Sequence, residues 1–279
     1  MDIGKLPVSK RLLMDAALVP ACELLADVGC DHAYTSIYLV GCGVAKRALA
    51  LDVRPGPLLR AQENIKRYGM EGRIGTRLSD GLCALSLSEA DCILICGMGG
   101  PLMIDILKRD WDKVLAAKCI VLQPQSEIAQ VREFLHKMGF IIDREDMCEE
   151  DGKFYTVIRA VGEGAWAKSF NIGEIPAGVC RQLEAANGAS GCAGTPKEGA
   201  AQAGARGNAL PVQAAYQYGA SLIEGKHPVL REFVRRELGQ KRELERQLSL
   251  QASIRAQERL CRLREEIGLL EEIFCRVSK

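Results

Sequence analysis

The sequence predicts an α/β domain built on a parallel β-sheet, followed by two antiparallel helices. Up to about Val161, short apolar runs of strand length alternate with amphipathic segments of helix length. Strands and helices that alternate in this way form a parallel sheet with helices on both of its faces. From His227 to the C-terminus, apolar residues instead recur at spacings of mostly three, four and six, which is typical of helices.

Two groups of segments are predicted as strands. The first group lies at residues 24–28, 44–51, 74–78, 92–96 and 119–122, with helices predicted at 57–68, 101–108 and 128–137. The second group, 140–147 and 154–160, has no helix-length segment between its members. The turn from Glu149 to Lys153 suits a β-hairpin, so the last strand is expected to be antiparallel.

The chain divides into three regions. Residues 1–161 form the predicted α/β domain, 162–214 a Gly/Ala-rich linker or insertion, and 215–279 a helical hairpin of coiled-coil type. Within the linker we expect 187–208 to be a mobile loop, because small residues cannot bury enough surface to offset the entropy of ordering the chain. A short break at 249–253 separates the two helices of the hairpin.

The composition is that of a globular protein with little net charge. Since the formal net charge is +1, any nucleic-acid binding has to come from a local basic patch. The 12 cysteines include no Cys-x-x-Cys pair, so no metal site is predicted, and unpaired cysteines in this number are typical of a reducing compartment. No segment resembles a membrane span or a signal peptide, so the sequence predicts a cytoplasmic protein.

The first predicted strand runs into a glycine turn that contains two aspartates, Asp27-Val28-Gly29-Cys30-Asp31. Gly29 allows a tight turn and a close approach of the backbone to a ligand. A dinucleotide site has a glycine where Asp31 stands, because the pyrophosphate needs that room. A carboxylate repels a diphosphate but can bind the ammonium group of a methionine moiety, so the turn favours S-adenosylmethionine over NAD. An ordinary strand–turn is the alternative. The cofactor-binding residues predicted here are Asp27, Gly29, Cys30 and Asp31.

The next two strands end in acidic residues that suit the nucleoside half of the same cofactor. Asp52 ends the second strand, roughly 20 residues after the glycine turn, where such folds bind ribose hydroxyls. Ser79-Asp80-Gly81 ends the third, and Asp80 can accept a hydrogen bond from the adenine amine. A solvated aspartate and a plain Asp-Gly turn would leave the same pattern, so the inference rests on the order of the motifs.

The fourth strand ends in a glycine-rich segment, Cys96-Gly97-Met98-Gly99-Gly100. Glycines at this density mark backbone that passes close to a ligand, at the sheet edge where open α/β sheets bind their ligands. Cys96, Gly97 and Gly99 are therefore predicted to contact the cofactor, the alternative being a flexible turn before a helix.

These motifs resemble those of the bacterial TrmK family. The resemblance extends to Leu122-Gln123-Pro124-Gln125, to Glu149-Glu150-Asp151-Gly152-Lys153-Phe154-Tyr155 and to segments 9–12, 218–220 and 227–230, and it covers most of the chain except about 162–212. It implies a class I S-adenosylmethionine-dependent methyltransferase with a Rossmann-like seven-stranded sheet, the last strand antiparallel, and a C-terminal coiled-coil hairpin. It further implies that the methyl group goes to N1 of adenine 22 in tRNA, which makes tRNA the expected partner.

Candidates for catalytic residues are those expected beside the methyl group: Asp31, His32, Tyr34 and Met98. Tyr34 can stack on the target base, and His32 can hydrogen-bond the base or contact a phosphate; alternatively, His32 caps a helix and Tyr34 is a core aromatic. Adenine N1 has a lone pair and no proton to remove, so no strong general base is expected. The Asn/Asp-Pro-Pro-Tyr motif of enzymes that methylate the exocyclic amine is absent, which favours a ring nitrogen.

Basic residues near both ends of the chain are predicted to bind tRNA: Lys10, Arg11, Arg235, Arg242 and Arg246. The hairpin arginines recur at helical spacings, which suits either a phosphate-binding stripe or a solvated face of ion pairs with nearby glutamates. Two other functions stay open, a small-molecule methyltransferase and a non-catalytic RNA-binding or scaffold protein. A monomer is expected.

Overall fold

Apolar runs in the first half of the chain form a seven-stranded sheet in the computed structural model, which describes residues 6–162, 210–251 and 253–279. The strands are β1 (Cys22–Val28), β2 (Ala45–Asp52), β3 (Ile74–Leu78), β4 (Cys92–Met98), β5 (Cys119–Pro124), β6 (Phe140–Glu150) and β7 (Lys153–Gly162). Their order is β3-β2-β1-β4-β5-β7-β6. Strand β7 is antiparallel to both of its neighbours, whereas β1 to β5 pair in parallel, which confirms the predicted antiparallel last strand.

Helices cover both faces of this sheet. They are α1 (Lys10–Ala17), α2 (Tyr34–Gly41), α3 (Pro55–Arg67), α4 (Gly100–Arg109), α5 (Trp111–Ala116) and α6 (Ile128–Lys137). Met14, Ile37 and Leu58 bring α1, α2 and α3 into one apolar cluster. A second cluster on the other face takes in α4, α5 and α6. Because the central strands β1, β4 and β5 are packed on both faces, the free carboxyl ends of the strands are the natural place for a ligand.

The second half of the described chain is helical, as the sequence predicts. Helices α7 (Val212–Tyr218) and α8 (Ala220–Glu224) lead into α9 (Pro228–Ser249) and α10 (Ile254–Ser278), which pair as a hairpin. The hairpin is not a free appendage. Its apolar residues form a third cluster with Met147 of β6 and Phe154 of β7, so it is packed on the last two strands of the sheet.

A buried ion pair fixes the entry to the hairpin. Arg132 of α6 donates to Glu145 of β6 at 2.7 Å, and the exposed fractions of the two side chains are 3% and 2%. Arg132 also donates to the backbone carbonyls of Tyr216 and Gln217, and Glu145 accepts from the hydroxyl of Ser221. Helices α7 and α8 are therefore hydrogen-bonded to the sheet domain.

Among the described residues, the structure adds short helices that the sequence does not predict: α1 and α5, of eight and six residues, and α7 and α8 ahead of the two-helix hairpin. Helix α7 begins at Val212, ahead of the predicted hairpin boundary at 215. Most of the predicted linker, including the loop expected at 187–208, lies outside the described residues. Within the described ranges, no helix combines the length and the apolarity needed to cross a membrane.

Candidate active site

A cavity of about 580 Å³ lies at the carboxyl edge of the sheet, where β1 to β4 end. Most residues predicted for the site line it: Arg11, Asp27, Gly29, Cys30, Asp31, His32, Tyr34, Asp52, Ser79, Asp80, Gly81, Cys96, Gly97 and Met98. The parallel strands bring these residues together, because their carboxyl ends meet at one edge.

The turn after β1 depends on a glycine. Gly29 has φ +74°, and a Cβ added to it would overlap the Cε atom of Met98. Asp31 and Ala33 also adopt left-handed conformations, at φ +47° and +58°, before α2 begins at Tyr34. Such backbone is costly for residues with a Cβ atom, and it leaves bare main chain facing the cavity.

Asp27 lies beneath this turn. Its carboxylate accepts a hydrogen bond from the hydroxyl of Ser36 at 2.7 Å. Burial raises the pKa of Asp27 to about 6, and the nearby carboxylate of Asp52 acts in the same direction, while the Ser36 hydrogen bond opposes them. The residue thus ties the start of α2 to the end of β1 and shapes the floor of the cavity.

Asp52 ends β2 with one oxygen engaged in the fold. Its Oδ1 atom accepts a hydrogen bond from the backbone N–H of Arg54 at 2.9 Å, and the residue is buried. Within the described part of the chain, Oδ2 accepts no hydrogen bond and is available to a ligand hydroxyl. The next side chain, Val53, also lines the cavity and is 58% exposed, which gives an apolar surface beside the carboxylate.

Asp80 lines the cavity just after the end of β3. Arg109 donates to its carboxylate and to its backbone carbonyl, both at 2.7 Å. The guanidinium holds the pKa of Asp80 below its usual range. The hydroxyl of Ser79 donates to the carbonyl of Gly81, which closes the turn that presents Asp80.

Aromatic side chains form one side of the cavity mouth. The rings of His32 and Tyr34 are stacked with their centroids 5.5 Å apart. Ala33 rather than His32 is the N-cap of α2, so the alternative of a capping histidine is wrong. Asp31 is exposed. Its carboxylate lies 3.6 Å from Nε2 of His32 and 3.4 Å from Nη2 of Arg60.

Gly97, also in the lining, leaves a narrow slot, in which a methyl group would contact both Gln125 and Arg11. Gly97 has φ +79°, and a Cβ added to it would lie 3.7 Å from Nε2 of Gln125 and 3.9 Å from Nη1 of Arg11. The backbone N–H of Gly97 donates to Oε1 of Gln123 at 3.1 Å. Cys96, just before it, has its thiol pKa raised well above the usual value by burial.

Some predicted residues do not reach the cavity. Gly99 is the N-cap of α4, and Lys10 donates from Nζ to the carbonyl of Glu149 at 3.2 Å. The hairpin arginines are in exposed ion pairs: Arg235 with Glu232, Arg242 with Glu271 and Arg246 with Glu243. In the free protein these three arginines therefore form the ion pairs that a solvated helix face would have.

Other lining residues were not predicted as site residues. Gln125, Val53 and Leu102 line the cavity, and none belongs to a residue type that marks a site by itself. The segment Leu122-Gln123-Pro124-Gln125 was noted only for its resemblance. A glutamine near the end of a fully buried strand and a second one directly after it were the available signal for Gln125.

Comparisons with known proteins point to one class of enzyme. A family model described as a methyltransferase domain matches residues 8–158. A curated tRNA (adenine(22)-N(1))-methyltransferase of Bacillus subtilis (strain 168) is 37% identical over 158 residues, which cover 57% of this chain and 66% of the relative. The aligned part thus spans about two thirds of that relative.

Solved structures match over more of the chain. The crystal structure of the B. subtilis m1A22 tRNA methyltransferase TrmK superposes with a TM-score of 0.71 at 28% identity, covering 97% of this chain and 100% of that one. A putative tRNA (m1A22) methyltransferase of Streptococcus pneumoniae, in complex with S-adenosyl-L-methionine, gives a TM-score of 0.68 at 27% identity and covers 96% and 99%. The similarity therefore includes the hairpin as well as the sheet.

Proposed function

The chain belongs to the methyltransferase-domain family and within it to the TrmK family, and we propose that it transfers a methyl group from S-adenosylmethionine to N1 of an adenine in tRNA. The target position implied by the resemblance is 22. The observation that carries the proposal is the cavity, in which a bare glycine turn lies between the carboxylates of Asp31 and Asp52 and opens onto the slot over Gly97.

The residues of the cavity fit this cofactor. The absence of a side chain at Gly29 lets Met98 pack against the main chain of the turn. Asp31, with its side chain 61% exposed, suits the ammonium of the methionine moiety. Oδ2 of Asp52 suits a ribose hydroxyl, and Val53 offers apolar contact to an adenine ring. The exposed carboxylate of Asp80 suits the adenine amine.

The chain's part in the reaction is to align the acceptor and exclude water. The bound cofactor supplies a methyl group already activated on a sulfonium. The stacked rings of His32 and Tyr34 offer a flat surface on which the acceptor base can lie. Met98, packed over Gly29, closes the cavity between the two binding regions. Alignment of this kind accounts for much of the rate of a displacement whose donor needs no further activation.

Adenine N1 fits this arrangement because it needs no base. Its lone pair attacks the methyl group directly, so the transfer does not depend on a general base. N1 lies at the Watson–Crick edge, so the nucleotide has to be unpaired or flipped out to reach a cavity of this depth. We also propose a cytoplasmic, monomeric enzyme.

The decisive test is methylation of an unmodified tRNA transcript by the purified protein. We expect mass spectrometry to find 1-methyladenosine at one position, and a transcript with guanosine at position 22 to remain unmodified. Calorimetry should show binding of S-adenosylmethionine by the protein alone. Transfer to free nucleosides at the same rate would support a small-molecule methyltransferase instead, and RNA binding without transfer would support a scaffold.

A further inference from the structure

Unpaired polar atoms are concentrated behind the slot over Gly97. In the ranges that the structure describes, buried side-chain nitrogen and oxygen atoms without a hydrogen-bond partner occur in Arg11 (Nε), Asp15 (both carboxylate oxygens), Gln123 (Nε2) and His227 (Nδ1). All of these except the His227 atom belong to one group of neighbours. Since proteins rarely leave buried polar atoms unpaired, their concentration at one place indicates a function there.

The first two of these neighbours share one face of α1. Arg11 and Asp15 are four residues apart on the helix, so their side chains lie one above the other. Asp15 is fully buried, and the groups that face it are Arg11 on its own helix, Asp27 and Cys96 on the sheet, and Cys148 and Glu150 on β6. Burial raises the pKa of Asp15 to about 7, which means that the ionised carboxylate lowers the stability of the fold.

Arg11 is fixed on its other side by the β6–β7 hairpin. Its guanidinium lies over the ring of Tyr155, 5.1 Å from the centroid, and its backbone N–H donates to Glu150 at 3.3 Å. The guanidinium itself donates no hydrogen bond to any residue in the described ranges. Its Nη1 atom borders the slot over Gly97, as Nε2 of Gln125 does. A cation with unused donors therefore faces the slot where the acceptor has to enter.

We propose that Arg11 hydrogen-bonds the acceptor nucleotide and that Asp15 is the positioning residue, whose negative charge orients the guanidinium without a hydrogen bond to it. This inference rests on the proposed function. The partner atoms on the nucleotide are hydrogen-bond acceptors other than N1, which stays free to take the methyl group. Asp15 does not line the cavity, whereas its neighbours Arg11 and Cys96 do; we assign its effect to Arg11. Gln123 supports the same site from below by holding the backbone of Gly97.

The test is a double-mutant cycle on tRNA methylation with Asp15→Asn, Arg11→Ala and the double variant. We expect Asp15→Asn to lower kcat/KM for tRNA about tenfold, because the neutral amide no longer attracts the guanidinium of Arg11, with an unchanged Kd for S-adenosylmethionine. In the Arg11→Ala background the same substitution should have no further effect. Equal losses in both backgrounds, or full activity of Asp15→Asn, would overturn the proposal.

Controls separate this role from a structural one. Arg67→Ala removes an exposed arginine at the far end of α3, away from the carboxyl edge, and should leave kcat/KM unchanged. Arg11→Lys keeps the charge but loses the planar fork, and should restore only part of the activity. Arg11 is only half-buried, so its variants test the proposal even if Asp15→Asn fails to fold. The wild-type arm tests the proposed function separately, since its failure to methylate tRNA would be seen before any variant is compared.

Discussion

At the scale of single residues, the two carboxylate oxygens of Asp52 have different roles. One oxygen accepts the N–H of Arg54 at 2.9 Å, and the other is left to the cavity. We predict that Asp52→Ala weakens binding of S-adenosylmethionine by roughly 10- to 100-fold, because hydrogen bonds to a charged group contribute about 1.5–3 kcal/mol. Isothermal titration calorimetry measures this loss directly.

Two further variants show whether the loss comes from the missing carboxylate of Asp52. Asp52→Asn keeps an oxygen for Arg54, so it should preserve the turn and weaken binding less than Asp52→Ala does. Glu63→Ala removes an exposed carboxylate of α3 outside the cavity and should leave the affinity unchanged. An unaltered Kd for Asp52→Ala would mean that the ribose hydroxyls are bound elsewhere.

Asp15 makes the free energy of unfolding depend on pH. Its folded-state pKa of about 7 lies above the ordinary 3.8, so between these values the folded protein holds a proton that the unfolded chain has released. Stability therefore falls as pH rises through this window. We predict that Asp15→Asn, which cannot ionise, raises the free energy of unfolding by on the order of 3 kcal/mol more at pH 8 than at pH 5.

Urea unfolding of wild type and Asp15→Asn at the two pH values checks this. A gain in stability together with the loss of activity proposed above would show that the residue is kept for function at the expense of stability. The same stability difference at both pH values would show instead that Asp15 titrates normally.

The residues of the cofactor side were predictable in a way that those of the acceptor side were not. Gly29 and Asp52 follow strands in chain order, and strand ends of a parallel sheet meet at one edge, so order in the sequence gives position in space. Asp15 and Gln123 come from α1 and β5, and nothing in the sequence brings those segments together. Their proximity depends on how α1 packs against the sheet.

At the scale of elements, the β6–β7 hairpin links the cavity to the helical tail. Phe154 and Tyr155 are adjacent in β7, so their side chains point to opposite faces. Tyr155 lies under Arg11, whereas Phe154 packs on Phe233 of α9 with the ring centroids 5.1 Å apart. The start of β7 thus contacts the acceptor slot through one face and the hairpin helices through the other.

The tail also depends on the buried Arg132–Glu145 pair. We predict that Glu145→Ala lowers the free energy of unfolding by about 3–5 kcal/mol, because it leaves the charge of Arg132 buried without a counter-ion. Glu133→Ala breaks the exposed pair with Lys137 on the same helix and should cost less than about 1 kcal/mol. Chemical denaturation measures the change in the free energy of unfolding for both variants. Similar changes would show that the Arg132–Glu145 pair contributes no more than an exposed pair.

Elements were predictable where their patterns were long. Strands and the two hairpin helices show clear periods, and the break expected at 249–253 agrees with helices that end at Ser249 and resume at Ile254. Helix α1 was missed because eight residues give too little periodicity to distinguish from a loop. It forms because Ser9 caps its N-terminus and Met14 and Ala16 are buried against the sheet.

At the scale of the whole molecule, the cavity and the tail lie toward the same edge of the sheet. The tail packs on Met147 and Phe154, near the turn that ends β6, and the carboxyl ends of the parallel strands open at that edge. A tRNA is far larger than the cavity, so a second surface that contacts phosphates is expected. With a net charge of +1, that surface has to be local.

The face of α9 with Arg235, Arg242 and Arg246 is the surface that we expect to meet the tRNA. These arginines are seven and four residues apart, so they lie along one side of the helix. Their ion pairs are exposed, and exposed pairs contribute little, so phosphates can replace the glutamates. We predict that changing all three to glutamine weakens tRNA binding, leaves the affinity for S-adenosylmethionine intact and lowers the slope of log K against log salt by roughly two to three. Changing the exposed Arg47, Lys66 and Arg67 at the opposite edge removes the same charge and serves as the control. If both sets weaken binding equally, the tRNA responds to overall charge alone and α9 is not its contact surface.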